Sequence, residues 1–238
     1  MGQLTGKVAI VTGGGSGIGK GIAKLFGQEG CSVVIAGRTA ARLEAAAEEM
    51  RQAGAQVLAV PTNVADEAQV AALFARAMEA YGRLDILVNA AGAFDGGPVE
   101  NLSLEAWQNV VDANLTGPFL CTREAFRIMK PAGGGRIVNI GSISAQRSRL
   151  YSAPYTATKF GVDGLTHATA LEGRDYGIAV SALHPGNTLV ERRQGVNEPM
   201  FDVEVIARTA LFMVTLPPEA NMFQAIVLPL EQSYIGRG

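Results

Sequence analysis

The sequence is poor in the residues that build metal centres and disulfide frameworks. It has 2 cysteines and 2 histidines in 238 residues. Cys31 and Cys121 stand far apart in apolar surroundings, outside any Cys-x-x-Cys pattern, and read as buried free thiols. His167 and His184 are also separated, which argues against a histidine-based metal site. Neither sign of charge dominates: 20 Lys+Arg face 22 Asp+Glu, a formal net charge of −2. That balance leaves no electrostatic case for nucleic acid or an anionic membrane as partner. No apolar run is long enough to span a bilayer, and Met-Gly-Gln-Leu-Thr-Gly-Lys lacks the apolar core of a signal peptide, so a cytoplasmic location is expected. Repeats, low-complexity linkers and composition shifts are missing too. Residues 1–238 are therefore expected to form a single domain.

What is present is a regular alternation. Short Val/Ile/Leu runs predict strands at Lys7–Thr12, Ser32–Ala36, Gln56–Pro61, Asp85–Asn89, Arg136–Gly141, Ala179–His184 and Ala225–Leu230. Between them, helical periodicity predicts helices at Ile18–Glu29, Thr39–Ala53, Asp66–Tyr81, Leu104–Leu115, Pro118–Met129, Ala153–Tyr176 and Asp202–Leu216. Glycine ends several of these, and Pro131 with three glycines is expected to end the fifth. Strands that are continuously apolar are buried on both faces, as in a parallel sheet. The expected fold class is therefore α/β: a doubly wound, seven-stranded parallel sheet in a three-layer sandwich, the Rossmann arrangement.

Thr12-Gly13-Gly14-Gly15-Ser16-Gly17-Ile18-Gly19 joins the first strand to the first helix. Glycines there let a backbone approach a pyrophosphate, and the helix start offers unpaired N–H groups to it. The spacing is G-x-x-x-G-x-G rather than G-x-G-x-x-G, and an ordinary glycine-rich turn is the competing reading. At the end of the second strand, an acid would suit the ribose 2′-hydroxyl of NAD and an arginine the 2′-phosphate of NADP. The chain reads Ala36-Gly37-Arg38-Thr39, so NADP is expected over NAD. A surface arginine starting a helix is the plainer alternative.

Tyr155 and Lys159 are four residues apart and share one helix face. Ser142 precedes them in Gly141-Ser142-Ile143-Ser144, at the end of a strand run. A phenol titrates near about 10 in water, too high for a good base near neutrality, and a nearby ammonium favours phenolate. Tyr155 is thus a candidate acid/base for a carbonyl oxygen, and Ser142 a candidate hydrogen-bond donor to it. Asn114 sits in mid-helix, where asparagine is intrinsically unfavourable, which suggests a specific task. Each residue alone has an ordinary reading as a solvated, capping or helix-bending side chain.

Taken in order, Thr12-Gly-x-x-x-Gly-x-Gly19, Asn89-Ala90-Ala91-Gly92, Asn114, Ser142, Tyr155-x-x-x-Lys159 and Pro185-Gly186 resemble the short-chain dehydrogenase/reductase family over nearly the whole chain. The resemblance implies an NADP(H)-dependent oxidoreductase, a carbonyl reductase or alcohol dehydrogenase. It would move hydride between nicotinamide and a small ketone, aldehyde or secondary alcohol. A 3-oxoacyl-thioester reductase is an alternative, and a non-catalytic nucleotide sensor is an alternative of another class.

The resemblance also implies roles. Lys159 bonds the nicotinamide ribose and Asn114 holds a water that links the lysine to solvent. Asn89, Ala90, Ala91 and Gly92 form the floor near the adenine ribose. Thr12, Gly13, Gly15, Ser16, Gly17, Ile18 and Gly19 bind the cofactor. So do Arg38, Asn63, Val64, Tyr155, Pro185, Gly186 and Thr188.

Two positions depart from the pattern: Asn63 replaces the usual aspartate, and Val190 the usual threonine on the carboxamide. Thr188 is the available substitute for that hydroxyl.

Substrate walls are expected from Phe94, Ser144, Ala145 and Tyr151. Arg147, Arg149, Arg192 and Arg193 fall in the same loops and read as solvated charges before anion ligands. The stretch between Thr188 and Asp202 is short and has few apolar residues, a poor lid for a long acyl chain or steroid. His184 reads as a core or strand-end residue and Trp107 as packing. Apolar positions Phe119, Leu120, Phe126, Leu165 and Ala168 need cover, and the resemblance implies a homotetramer or homodimer through those helices. The end, Ser233 to Gly238, either wraps onto a neighbour or frays.

Overall fold

The computed structural model describes residues 2–191, 195 and 197–233. Strands β1 (Val8–Thr12), β2 (Ser32–Gly37), β3 (Val57–Pro61), β4 (Ile86–Asn89), β5 (Gly135–Ile140), β6 (Ile178–Pro185) and β9 (Gln224–Val227) form one seven-stranded sheet in the order β3-β2-β1-β4-β5-β6-β9. Every pairing in it is parallel. Two further strands, β7 (Thr188–Leu189) and β8 (Phe201–Asp202), pair with each other in a separate two-stranded sheet. That small ladder has too few residues to leave a periodic trace in the sequence.

Two apolar layers cover the sheet, and the alternation of β2 shows how. Val33 and Ile35 face one layer with Ile22 and Phe26 of α1 (Gly17–Gln28), Leu43 and Met50 of α2 (Ala40–Gln52), and Ile206 of α7 (Val203–Thr215). Val34 and Ala36 face the other with Leu73 and Phe74 of α3 (Glu67–Tyr81) and with Leu120 and Met129 of α5 (Gly117–Ala132). Both cysteines are buried and free, and burial pushes each thiol up to about 12.

Three expectations need correction. The fourth and fifth helices are one continuous rod: α4 (Leu104–Val111) passes through a π-helical turn (Asp112–Thr116) into α5. The Gly117 N–H bonds back to Asp112 O, so the wide turn changes hydrogen-bond register just where Pro118 has no N–H to give. Pro131 does not stop α5, which runs to Ala132 and is capped by left-handed Gly133. Trp107, expected to pack, is exposed on α4.

The remaining differences are at boundaries. The long helix α6 (Ala153–Gly173) gives way to a 3₁₀ turn (Arg174–Tyr176), and the last strand is β9 rather than Ala225–Leu230. Leu120 and Phe126 are buried within the chain, whereas Phe119 is exposed. Among the described residues, no helix is long and apolar enough to cross a membrane. Arg192, Arg193 and most of the C-terminal tail lie outside the described residues.

Candidate active site

The carboxyl ends of β1 and β4 are neighbours from which the chain winds in opposite directions, the switch point where open α/β sheets bind ligands. Thr12 closes β1 there. Its Oγ1 accepts from Ala90 N–H (3.0 Å) and Ala91 N–H (3.1 Å), fastening the glycine loop to the segment after β4. Gly13 has φ +69°, and a Cβ there would meet Ala90 O at 2.8 Å. Only glycine leaves that cradle open. Gly17, also left-handed at φ +55°, opens α1, and the Ser16 side chain makes no capping bond to the first N–H groups of that helix. The residues present therefore fit a diphosphate-containing cofactor: a cleared backbone and a helix start with donors to give. Arg38 is exposed beyond β2 and makes no hydrogen bond or ion pair among the described residues.

Other expected cofactor residues have different surroundings. Asn63 is exposed at the end of β3, and its Oδ1 accepts from Ala65 N–H (3.3 Å). Val64 is buried against Gly117 at the start of α5. The side chain of Asn89 turns inward: Nδ2 donates to Asn139 Oδ1 (2.8 Å) and Thr122 Oγ1 (3.3 Å). Asn139 Nδ2 in turn donates to Thr166 Oγ1 (2.9 Å) on α6. Asn89 thus braces β4 against β5 and α6 from beneath the site. Asn139 was not expected, though a polar residue inside Ile137-Val138-Asn139-Ile140 was the available signal.

Tyr155 lies in the first turn of α6, with Pro154 just ahead of it in the helix start. One turn on, Lys159 is 6% exposed. Its Nζ lies 5.5 Å from the Tyr155 ring centroid and donates to Ile140 O at 2.8 Å. Ile140 ends β5, two residues before Ser142, so this one bond ties the Tyr/Lys helix to the serine. Ser142 Oγ accepts from Ser144 N–H (3.1 Å), which leaves its own proton available for donation. Ser144 and Ala145 are buried in the short 3₁₀ turn (Ile143–Ala145).

Asn114 sits on the π turn and is 1% exposed. Its Oδ1 accepts from Ala93 N–H (2.7 Å), and its Nδ2 donates to Ala93 O (2.9 Å) and Thr158 Oγ1 (3.2 Å). It therefore joins the segment after β4 to the residue preceding Lys159. The π bulge projects this amide out of the regular helical ladder.

Phe94 packs its ring against Tyr155, centroids 5.2 Å apart and tilted by 59°. Phe94, Leu150, Tyr151 and Leu189 are all exposed apolar residues of the surrounding loops. Tyr151 is left-handed at φ +57°, a strained conformation for an aromatic residue. Across the loops, Arg149 donates to Asn187 Oδ1 (2.6 Å) and Asn187 Nδ2 donates to Glu198 Oε2 (2.9 Å), so Arg149 is committed to holding the loop after β6. Thr188 is buried, and its hydroxyl donates to Gly186 O (3.1 Å). Glu191, like Asn139, escaped sequence reasoning: its Oε2 accepts from Gly17 N–H (3.1 Å). His184, read as a core or strand-end residue, is indeed buried near the end of β6, where it touches the backbone of Ser142. Both contacts join residues distant in sequence.

The family model for short chain dehydrogenase matches residues 7–200. The chain belongs to the short-chain dehydrogenase family. An uncharacterized oxidoreductase of Thermotoga maritima is 42% identical over 184 residues, 77% of this chain and 72% of that protein. A 3-alpha-(or 20-beta)-hydroxysteroid dehydrogenase of Mycobacterium bovis is 37% identical over 233 residues, 98% of this chain and 86% of that protein. A variant actinorhodin polyketide ketoreductase, crystallised with NADPH, superposes with a TM-score of 0.88 at 31% identity, covering 96% of this chain and 98% of the other. This short-chain dehydrogenase is accordingly an oxidoreductase of CH–OH and C=O groups that uses a nicotinamide cofactor and small-molecule substrates.

Proposed function

We infer that this short-chain dehydrogenase is an NADP(H)-dependent carbonyl reductase or alcohol dehydrogenase, with Tyr155 as the acid/base at the substrate oxygen. The observation that carries the reading is Lys159: a buried ammonium, beside the Tyr155 ring, on a helix tied to Ser142 through Ile140 O. Residues 1–238 act as one dinucleotide-binding and catalytic unit. Thr12, Gly13, Gly15, Ser16, Gly17, Ile18 and Gly19 would hold the diphosphate, with Arg38 on the 2′-phosphate. Asn63 and Val64 would flank the adenine, and Ala90, Ala91 and Gly92 the ribose. Pro185, Gly186 and Thr188 would border the nicotinamide, whose chemistry when bound is to give or take hydride at the substrate carbon.

The side chains supply the rest. Ser142 donates to the substrate oxygen and polarises it. Tyr155 gives that oxygen a proton in reduction and takes it back in oxidation. Lys159 holds its ammonium 5.5 Å from the Tyr155 ring centroid, close enough to stabilise charge that develops at the phenol during the transfer. Asn114 keeps the floor rigid. Its amide spans Ala93 and Thr158, so the segment carrying Phe94 and the helix carrying Tyr155 move together.

The expected substrate is a small ketone, aldehyde or secondary alcohol. A second reading, a larger 3-oxoacyl thioester or ketosteroid, is supported by the exposed apolar rim of Phe94, Leu150, Tyr151 and Leu189 and by the names of the relatives. A panel of short ketones, acyl thioesters and ketosteroids with NADPH and NADH separates them. Small ketones turned over best with NADPH would support the first reading. Tight NADPH binding with no consumption by any of them would instead mark a nucleotide sensor. Exposed Phe119 and Ala168 border a groove with Phe126 and Leu165, a surface suited to a second copy of this chain. A homotetramer or homodimer is the expected assembly.

A further inference from the structure

His184 is the penultimate residue of β6, and none of it is exposed. Its imidazole lies against the peptide of Ser142: Nδ1 accepts from Ser142 N–H at 3.3 Å and is 3.1 Å from Ser142 O. Gly141 makes this approach possible. A Cβ at residue 141 would come within 2.4 Å of His184 Nδ1, deep inside van der Waals contact. On the far side of the ring, Nε2 is 3.4 Å from Asp163 Oδ1, at ion-pair distance but outside hydrogen-bond geometry. Asp163 stands one helical turn beyond Lys159 on α6 and accepts from Gln224 Nε2 at 2.6 Å.

We propose that His184 is a positioning residue for Ser142, holding the serine peptide so that Oγ stays aimed at the substrate oxygen. Asp163 sets the ring's orientation from α6. The proposal rests on the role given to Ser142 above. Nδ1 lies within reach of both polar atoms of the Ser142 peptide, so the ring holds that peptide through the N–H or the carbonyl, whichever nitrogen carries the proton. Ser142 is then fixed twice: its backbone by His184, its hydroxyl by Ser144 N–H. A hydrogen-bond donor contributes to a transition state when it is already in place, so a support that removes its freedom acts on kcat rather than on cofactor binding. Because Asp163 shares a helix with Tyr155 and Lys159, the same imidazole couples the position of the polarising hydroxyl to that of the proton donor.

The test compares His184→Asn, His184→Gln and His184→Phe with Ser142→Ala and Tyr155→Phe. It measures kcat, KM, NADPH affinity by fluorescence, and Tm. The asparagine amide can reach the position of Nδ1, and the glutamine amide that of Nε2. Expected is a kcat loss of roughly tenfold or more in His184→Phe, smaller than the roughly 100-fold loss typical of removing the donor itself. NADPH affinity should be unchanged, and kcat should be largely restored in His184→Asn but not in His184→Gln. Should the phenylalanine variant not fold, the order of the Asn and Gln variants still decides. Equal kcat in those two, or Gln above Asn, would overturn the proposal while Ser142→Ala and Tyr155→Phe remain inactive. A fully active Ser142→Ala would instead overturn the underlying reading of the site.

Discussion

Lys159 Nζ donates to the carbonyl oxygen of Ile140 at 2.8 Å, so the cation beside Tyr155 is anchored on the strand that delivers Ser142. Its ammonium has three donors, and this bond holds the charge close to the phenol. Tyr155→Phe should therefore retain NADPH binding and lose most of kcat. Lys159→Met should lose kcat and also weaken NADPH binding. Steady-state kinetics with fluorescence titration would check both, and near-normal turnover in Tyr155→Phe would refute the mechanism.

Gly37 ends β2 where an acid would suit NAD, and Arg38 follows it with a guanidinium free of other partners among the described residues. Arg38→Asp should raise the NADPH Kd by roughly 10- to 100-fold, the range for a charge-assisted hydrogen bond. NADH affinity should change little. If the unaltered protein binds NADH more tightly than NADPH, the assignment of Arg38 fails.

Glu191 places a carboxylate oxygen 3.1 Å from Gly17 N–H, at the same helix start that would receive a diphosphate. The two anions compete for one donor. Glu191→Gln should tighten NADP(H) binding by roughly two- to fivefold, the scale of a charge at a helix N-terminus, with the larger effect at low ionic strength. Calorimetric titration at two salt concentrations checks this. Weaker binding in the variant would show that the carboxylate assists the cofactor rather than excluding it.

Asn114 makes three hydrogen bonds from a buried position. Asn114→Ala leaves the Ala93 N–H and carbonyl without these partners. It should cost about 2–4 kcal/mol of stability and lower Tm by roughly 5–15 °C. Thermal melts would show it. An unchanged Tm would mean that the segment after β4 is held by other contacts.

Burial pushes the pKa of His184 below the usual value of about 6.5, outweighing the Ser142 carbonyl oxygen 3.1 Å from Nδ1 and the Asp163 carboxylate, while the charge of Lys159 adds to the depression. The unfolded chain therefore binds the extra proton first as pH falls. The stability contributed by the neutral ring is complete above the unfolded value and is lost as pH drops through the folded one. Urea denaturation from pH 8 to pH 5 should show the unaltered protein losing stability more steeply than His184→Asn. A stability difference that widens in favour of the unaltered protein on acidification would contradict this sign.

Much of the fold was legible because its signals are local. Val8–Thr12 and Ser32–Gly37 are apolar on both faces, and a glycine loop stands between the first strand and helix. The π turn was not legible. Leu104–Leu115 and Pro118–Met129 carry helical periodicity on either side of Gly117-Pro118, and sequence rules read that pair as a break. A π turn, with Gly117 N–H bonded to Asp112 O, carries the helix through. The inward turn of the Asn89 side chain was not legible either, because its partner Asn139 is fifty positions away and is reached only through strand pairing.

The sequence alone determined the sheet-and-helix order, the glycine loop between the first strand and helix, and the spacing that puts Tyr155 and Lys159 on one face, since each depends on residues a turn or two apart. The tertiary structure decided what those residues are fastened to. Lys159 meets Ile140, Asn114 meets Ala93, Glu191 meets Gly17, and His184 meets Ser142. Each of these contacts closes a loop between elements distant in the chain. Their partners are set by packing of the sheet and its two layers rather than by any local pattern.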